Sequence, residues 1–398
     1  MADVPSTEPE SVMKTYFPAL TGLRAVAAFS VFAFHAALSI KAAALPPFLR
    51  WPVYLAQQAN TGVSIFFVLS GFLITLRYAA SVELTRPWLR RYFQNRFARI
   101  YPIYFLLTFV TFAAMLVRPS RMWYEWPDFY QAGDKFVAIF FNLTLLRAFF
   151  NEFKSLGIPT AWTLTVEETF YLCAPLLLMG LKRYFRLIYF YPLVFLSIGG
   201  LMMGFCSRFW SPYGLLDNAE FMLFFTFFGR CVEFLAGMRL AFWVAPRLPN
   251  GLSNSRPYAT IAGGLGIFGC LVAHTIMAHM ADDSRFVYPC IFLDNFLLPV
   301  PIAVFLAGLI RENTMLKRVL ETKTFQLLGK SSYIFYLVHL GVVDRLFTGL
   351  VTTNWLARLL AYGLFSIALY KWVEHPMQRW LRAKPRSVPT QAELAGAA

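Results

Sequence analysis

ALTGLRAVAAFSVFAFHAALSI, residues 19–40, is an apolar stretch of about membrane-spanning length that carries only two ionisable side chains, Arg24 and His35. They are eleven positions apart. At 100° per residue the remainder is about 20°, so both project from one helix face, roughly 16 Å apart along the axis. Ionisable groups inside a bilayer are costly and commonly face a cavity or a partner. The plain alternative is that Arg24 snorkels to the interface and His35 is a satisfied core residue.

Apolar runs like this one recur from Ala19 to Trp372. Only 14% of the residues are charged, against about 25% in soluble domains. The fold class is therefore all-α, a polytopic transmembrane helical bundle; a β-barrel would show short alternating segments instead. Net charge is +15, which in a soluble chain would suggest nucleic acid. Here the arginines flank apolar runs, so the positive-inside rule accounts for most of the excess, and no nucleic-acid partner is expected. The acidic N-terminus MADVPSTEPE lacks a basic n-region and a cleavage site, so the first span is not expected to be a removed signal peptide. Cys173, Cys206, Cys231, Cys270 and Cys290 sit in or at the ends of apolar runs with no CxxC pair, against a disulfide framework or a zinc site. His274 and His279 are five apart, on different faces, so no metal site is expected.

Ten spans are expected near residues 19–40, 60–80, 98–117, 162–181, 187–206, 220–243, 258–280, 288–310, 325–346 and 355–374. The run 136–150 contains Asn142 and Arg147, and its length suits a short re-entrant or interfacial segment. If it does not cross, Arg86, Arg90, Arg91, Lys182, Arg183, Arg247, Arg256, Lys317 and Arg379 all share one side with both termini. The opposite side is sparse: 281–286 has one Arg against two Asp. Both termini are therefore expected in the cytoplasm of a multi-pass plasma-membrane protein. Residues 17–380 form one membrane domain, with disordered cytoplasmic ends at 1–16 and 381–398. No internal repeat is visible, so a repeat-built transporter gains no support.

Four segments carry chemistry. GVSIFFVLSGFLIT, 62–75, combines Gly62 and Gly71 with Ser64 and Ser70, which suits close helix packing more readily than catalysis. RRYFQNRFARIYPIYF, 90–105, places Arg96 and Arg99 on one helix face ahead of Pro102. An anchor explains some of these arginines; an anion site explains four in ten residues better, because the guanidinium fork binds phosphate bidentately. Arg24 lies at the same membrane face, so three arginines can converge on one polyanion. In AWTLTVEETFYLCAPLLL, 161–178, Glu167 and Glu168 are adjacent inside an apolar stretch. The expected topology puts them in the outer half at the depth of His35, where one carboxylate could orient the imidazole. The alternative is an ion pair elsewhere, such as with Arg230.

In LGKSSYIFYLVHL, 328–340, Tyr333, Tyr336 and His339 climb one helix. His339 and Asp344 match an HxxxxD spacing, which is discounted because five helical residues set them about 140° apart. Arg230 and Glu233 read as an intrahelical ion pair at i, i+3. Glu374 and His375, before Pro376, read as a structural helix end.

Together these segments resemble the acyltransferase-3 family of integral membrane O-acyltransferases, over roughly residues 17–380. The resemblance rests on the R-x10-H of Arg24 and His35, GVSIFFVLSGFLI, the RxxR of Arg96 and Arg99 before IxPxY, WTLTVEETFYL, LGKSSYIFYLVHL and the terminal EHP. It implies transfer of an acyl group, commonly acetyl, from cytoplasmic acyl-CoA to a hydroxyl of a carbohydrate or glycan, with no bound cofactor. It further implies His35 as the catalytic base, Glu167 and Glu168 as the paired acidic motif, and Arg24, Arg96 and Arg99 at the donor. Tyr171, Tyr336 and His339 are the candidates on the acceptor side. WTLTVEE stands where WSLSVEE is commoner, with the hydroxyls kept. Some members carry an extra extracytoplasmic hydrolase-like domain; none is expected in this sequence, so any extracytoplasmic partner for the outer step is expected to be a separate protein. The rival reading is a non-catalytic transporter or flippase of an anionic lipid or glycan, which would use the same arginines and buried carboxylates.

Overall fold

A computed structural model describes residues 16–117, 126–250, 256–280, 286–350 and 354–383. The helices are α1 (Pro18–Leu38), α2 (Pro47–Ala56), α3 (Thr61–Tyr78), α4 (Arg86–Val117), α5 (Ala132–Leu143), α6 (Trp162–Arg183), α7 (Tyr191–Phe209), α8 (Ala219–Phe225) and α9 (Phe227–Val244). There follow α10 (Tyr258–Met280), α11 (Val287–Phe292), α12 (Pro299–Arg311), α13 (Met315–Leu320), α14 (Lys323–Val338), α15 (Val342–Leu350), α16 (Trp355–Leu369) and α17 (His375–Leu381). Among the described residues the only β feature is an isolated bridge between Phe150 and Leu215. The chain is an all-α polytopic bundle, with nine helices among the described residues long and apolar enough to cross a membrane.

The ninth expected span differs. The run 325–346 is not one helix: α14 ends at Val338 after 16 residues, about 24 Å long, and Gly341 turns the chain at φ +83° into α15. The basic stretch 81–97 also differs from the loop expected there, because α4 is already helical from Arg86 and continues through Pro102. Within 136–150, α5 is 12 residues long, about 18 Å, and is not among the nine candidate spans. A left-handed Leu145 (φ 56°) and a 3-10 turn at Arg147–Phe149 follow it. The expected disordered ends lie outside the described residues, except for Tyr16, which donates to Gln326 Oε1 at 2.6 Å, and 381–383. The 281–286 comparison falls almost wholly outside them too.

Helix α1 runs through the middle of the bundle between α3 and α14, while α3 packs on α9 and α10 on α12. Two glycines set these distances. A Cβ on Gly71 would lie 2.0 Å from Phe234 O of α9, and one on Gly329 of α14 would lie 1.9 Å from Thr21 O of α1. Any side chain there would force the helices apart. Helices α1 and α14 run parallel, since Thr21 meets Gly329, Phe32 meets Phe335 and His35 meets His339. Helices α7, α10 and α16 turn large apolar side chains outward, including Leu201, Phe205, Leu265, Leu360 and Leu364. Such faces suit hydrocarbon rather than water.

Candidate functional site

The two ionisable groups of α1 head two separate polar clusters. At the Arg24 end, α1, α3, α4, α6, α14 and the π-helical turn Tyr370–Glu374 converge. Arg24 is within electrostatic reach of Glu167, Arg99, Tyr171 and Glu374. Arg99 Nη1 donates to Glu374 Oε1 at 3.0 Å, and its guanidinium lies 5.9 Å from the Tyr333 ring. Arg96 sits between the rings of Tyr78 and Tyr171, at 5.7 and 5.6 Å. Glu167 Oε1 accepts from the hydroxyls of Ser70 and Tyr171. Glu168 faces Arg96. The three arginines therefore converge, as their spacing suggested.

The cluster is incompletely satisfied. Arg24 Nε, Arg96 Nε, Glu168 Oε1 and Glu374 Oε2 are enclosed yet have no hydrogen-bond partner among the described residues. Enclosed charged groups left this way cost several kcal/mol unless something polar reaches them. Three guanidiniums gathered together, two of them with an unused Nε donor, are what a polyanionic ligand requires.

Eleven residues further along α1, His35 meets His339, with Nδ1 and Nε2 3.2 Å apart. His35 Nδ1 is also 2.9 Å from Val31 O, and His339 Nδ1 is 3.2 Å from Phe335 O. A carbonyl only accepts, so each Nδ1 carries the proton. His35 Nδ1–H is then shared between Val31 O and His339 Nε2. That leaves His35 Nε2 as a lone-pair nitrogen able to take a proton. His339 is buried while His35 is half-buried, so the outer member of the pair is the one a substrate can approach. Tyr336 stands beside His339, ring centroids 5.8 Å apart, and its hydroxyl donates to Thr160 O at 3.4 Å.

The expected pairing of His35 with Glu167 or Glu168 does not occur. Helix α6 begins at Trp162, and the turn before it is already inside the bundle: Thr160 donates to Tyr336 O at 3.0 Å. Five residues further on, the carboxylates have reached the level of Arg24. Tyr171, one turn beyond, lies with Arg96 and not on the acceptor side. Arg147 explains the inward start, since it is fully buried and donates to Ile158 O and Lys154 O, both at 2.7 Å. The beginning of the apolar run is therefore packed within the bundle rather than at its end.

Arg230 forms the expected pair with Glu233 at 2.8 Å and also donates to Asn295. It does not meet Glu167. Asp344 binds Arg358 and Tyr362, separate from any HxxxxD arrangement. Glu374 was missed as a site residue; the signal was a carboxylate inside an apolar span, which needs a partner. Among the described residues no group of His, Cys, Asp and Glu could hold a metal ion.

The model of the acyltransferase domain family matches residues 17–370, and the chain belongs to that family. It is 26% identical over 387 residues to the peptidoglycan O-acetyltransferase OatA of Listeria monocytogenes serovar 1/2a, covering 92% of this chain and 56% of that protein. It is 24% identical over 340 residues to a putative O-acetyltransferase of Staphylococcus aureus strain COL, covering 83% of this chain and 51% of that protein. Over 379 residues it is 23% identical to the O-acetyltransferase OatA of S. aureus strain NCTC 8325, covering 92% and 57%. The chain thus spans about half the length of the curated relatives it matches. No solved structure matches.

Proposed function

We propose that this protein is a plasma-membrane O-acyltransferase that moves an acetyl group from acetyl-CoA to a hydroxyl of a carbohydrate or glycan acceptor. The observation that carries this reading is the arrangement on α1. An arginine cluster with unused donors stands at one end and a histidine with a free basic nitrogen at the other, on one helix face. Family membership across 17–370 supports acyl transfer, and the names of the relatives support a glycan acceptor, peptidoglycan among them.

In this reading Arg24, Arg96 and Arg99 hold the donor pyrophosphate, and the pantetheine arm runs along α1 toward His35, a distance of roughly 16 Å. His35 Nε2 takes the proton of the acceptor hydroxyl as its oxygen attacks the thioester carbonyl. The C–S bond breaks as the ester C–O bond forms, and the thiolate leaves to be protonated as CoA thiol. His339 fixes the His35 tautomer, and Tyr336 lines the same end. Glu167, Glu168 and Glu374 balance the arginines when the donor is absent. In this reading both termini lie in the cytoplasm, as the loop charges favour, with the donor drawn from inside and the glycan from outside.

The test uses the purified chain in nanodiscs with acetyl-CoA and glycan fragments, reading thiol release and acetyl ester by mass spectrometry. Acceptor-dependent thiol release with a matching mass gain is expected. A well-folded protein that neither binds nor consumes acetyl-CoA would overturn the reading and favour transport.

A further inference from the structure

At the edge of the arginine cluster is a cleft of about 600 Å³ between the first turns of α4 and the stretch from Trp380 to Ala383 at the end of α17. Arg86, Arg90, Arg91 and Arg382 line it together with Gln94 and Trp380, and no carboxylate does. Both walls are tied. Gln94 Nε2 donates to Leu381 O at 3.0 Å, and Arg382 Nη2 donates to Gln378 Oε1 at 3.2 Å. The Trp380 indole is 83% exposed, a large aromatic face held open at the rim. Arg382 is within electrostatic reach of Arg77, Arg96 and Arg99, so the cleft is continuous in charge with the inner cluster.

We propose that this cleft is a nucleotide subsite, taking the adenine and ribose 3′-phosphate end of the donor while the inner arginines hold its pyrophosphate. The inference rests on the acetyl-CoA reading above and adds to it which residues recognise which part of the molecule. Four like charges gathered without a carboxylate repel one another, and a phosphate relieves that repulsion. Arg90 and Arg99 are nine residues apart on one helix, roughly 14 Å along the axis, so the inner and outer arginines address different parts of one extended ligand. A volume of this size suits a nucleotide, and an open indole is a stacking platform for a base. An anionic lipid headgroup shares the phosphate but has no base for Trp380 and no arm leading inward to Arg96 and Arg99.

The test compares binding of acetyl-CoA and its 3′-dephospho analogue to the full chain in nanodiscs, by calorimetry. Wild type should prefer acetyl-CoA at least tenfold. Arg91→Ala/Arg382→Ala should lose that preference while keeping its affinity for the dephospho analogue within about twofold. Trp380→Ala should weaken both ligands severalfold without changing the preference. Arg91→Lys/Arg382→Lys, which keeps the charges, guards against a folding artefact and should fall between wild type and the alanine pair. Equal wild-type affinity for the two ligands would overturn the subsite and leave the donor reading standing. Wild type that binds neither ligand would remove both. Preference retained in the alanine pair, with a changed response to anionic lipid in the disc, would assign the cleft to headgroups and overturn the inference.

Discussion

Replacing His35 by glutamine separates a base from a packing residue. The side chain is half-buried, and its Nδ1–H bonds to Val31 O and His339 Nε2. Gln keeps a donor for His339 and approximate size, but it offers no nitrogen that can accept a proton at neutral pH. General acid–base catalysis contributes about 10²–10⁴-fold, so turnover should fall at least 100-fold. Donor affinity should stay within about threefold of wild type, because the arginines stand roughly 16 Å away along the helix. Removing the orienting bond instead, with His339→Leu, deletes one hydrogen bond worth about 0.5–1.5 kcal/mol, so turnover should fall roughly two- to tenfold. Both are measured in nanodiscs: thiol release for turnover, calorimetry for acetyl-CoA binding. A His35→Gln protein that keeps more than a tenth of wild-type turnover would refute the base assignment. Complete loss in His339→Leu alongside it would exchange the two roles.

Arg99→Ala removes a charge-assisted contact worth about 1.5–3 kcal/mol, so acetyl-CoA should bind more than tenfold more weakly. It also strands the buried Glu374, so yield should drop, and Arg99→Ala/Glu374→Gln should restore yield without restoring affinity, read by detergent-stable expression and calorimetry. Gly71→Ala puts a methyl 2.0 Å from Phe234 O and should cost about 1–3 kcal/mol by overpacking, seen as a lower melting temperature. Single-cysteine labelling in intact cells should place 182–186 and the C-terminal tail on the same, cytoplasmic side; opposite sides would mean that 136–150 crosses.

What the sequence made legible follows periodicity and local spacing. Arg24 and His35 on one face, the i, i+3 pair of Arg230 and Glu233, and the short helix near Phe136 all depend on intervals along one segment. The parallel course of α1 and α14 brings His339 to His35. Depth along α6 was not legible. It depended on Arg147 drawing the chain inward before Trp162, a contact that hydropathy does not register. The same shift moved Tyr171 away from the histidines. The break after Val338 was hidden because 325–346 is apolar throughout, and only the backbone at Gly341 turns it. Glu374 was hidden by the EHP ending, which reads equally well as a helix terminus.

The position of the carboxylates changes what they are for. Arg24, Arg96 and Arg99 lie in one cluster with Glu167, Glu168 and Glu374. Three unbalanced guanidiniums at membrane depth would be expensive, and three carboxylates offset them when no ligand is present. Ser70 and Tyr171 spend their hydroxyl donors on Glu167, and Gln378 and Arg99 bind Glu374, so two of the three acids are held in place. Glu168 Oε1 has no such partner and faces Arg96, whose Nε is also unused. Arriving phosphate therefore meets least resistance at Arg96, where no carboxylate hydrogen bond has to be broken, and most at Arg99, where one does. If the arginines hold the donor as proposed, the paired acidic motif belongs to the donor end, setting how firmly the arginines are held before the ligand arrives, while orientation of the His35 imidazole falls to His339.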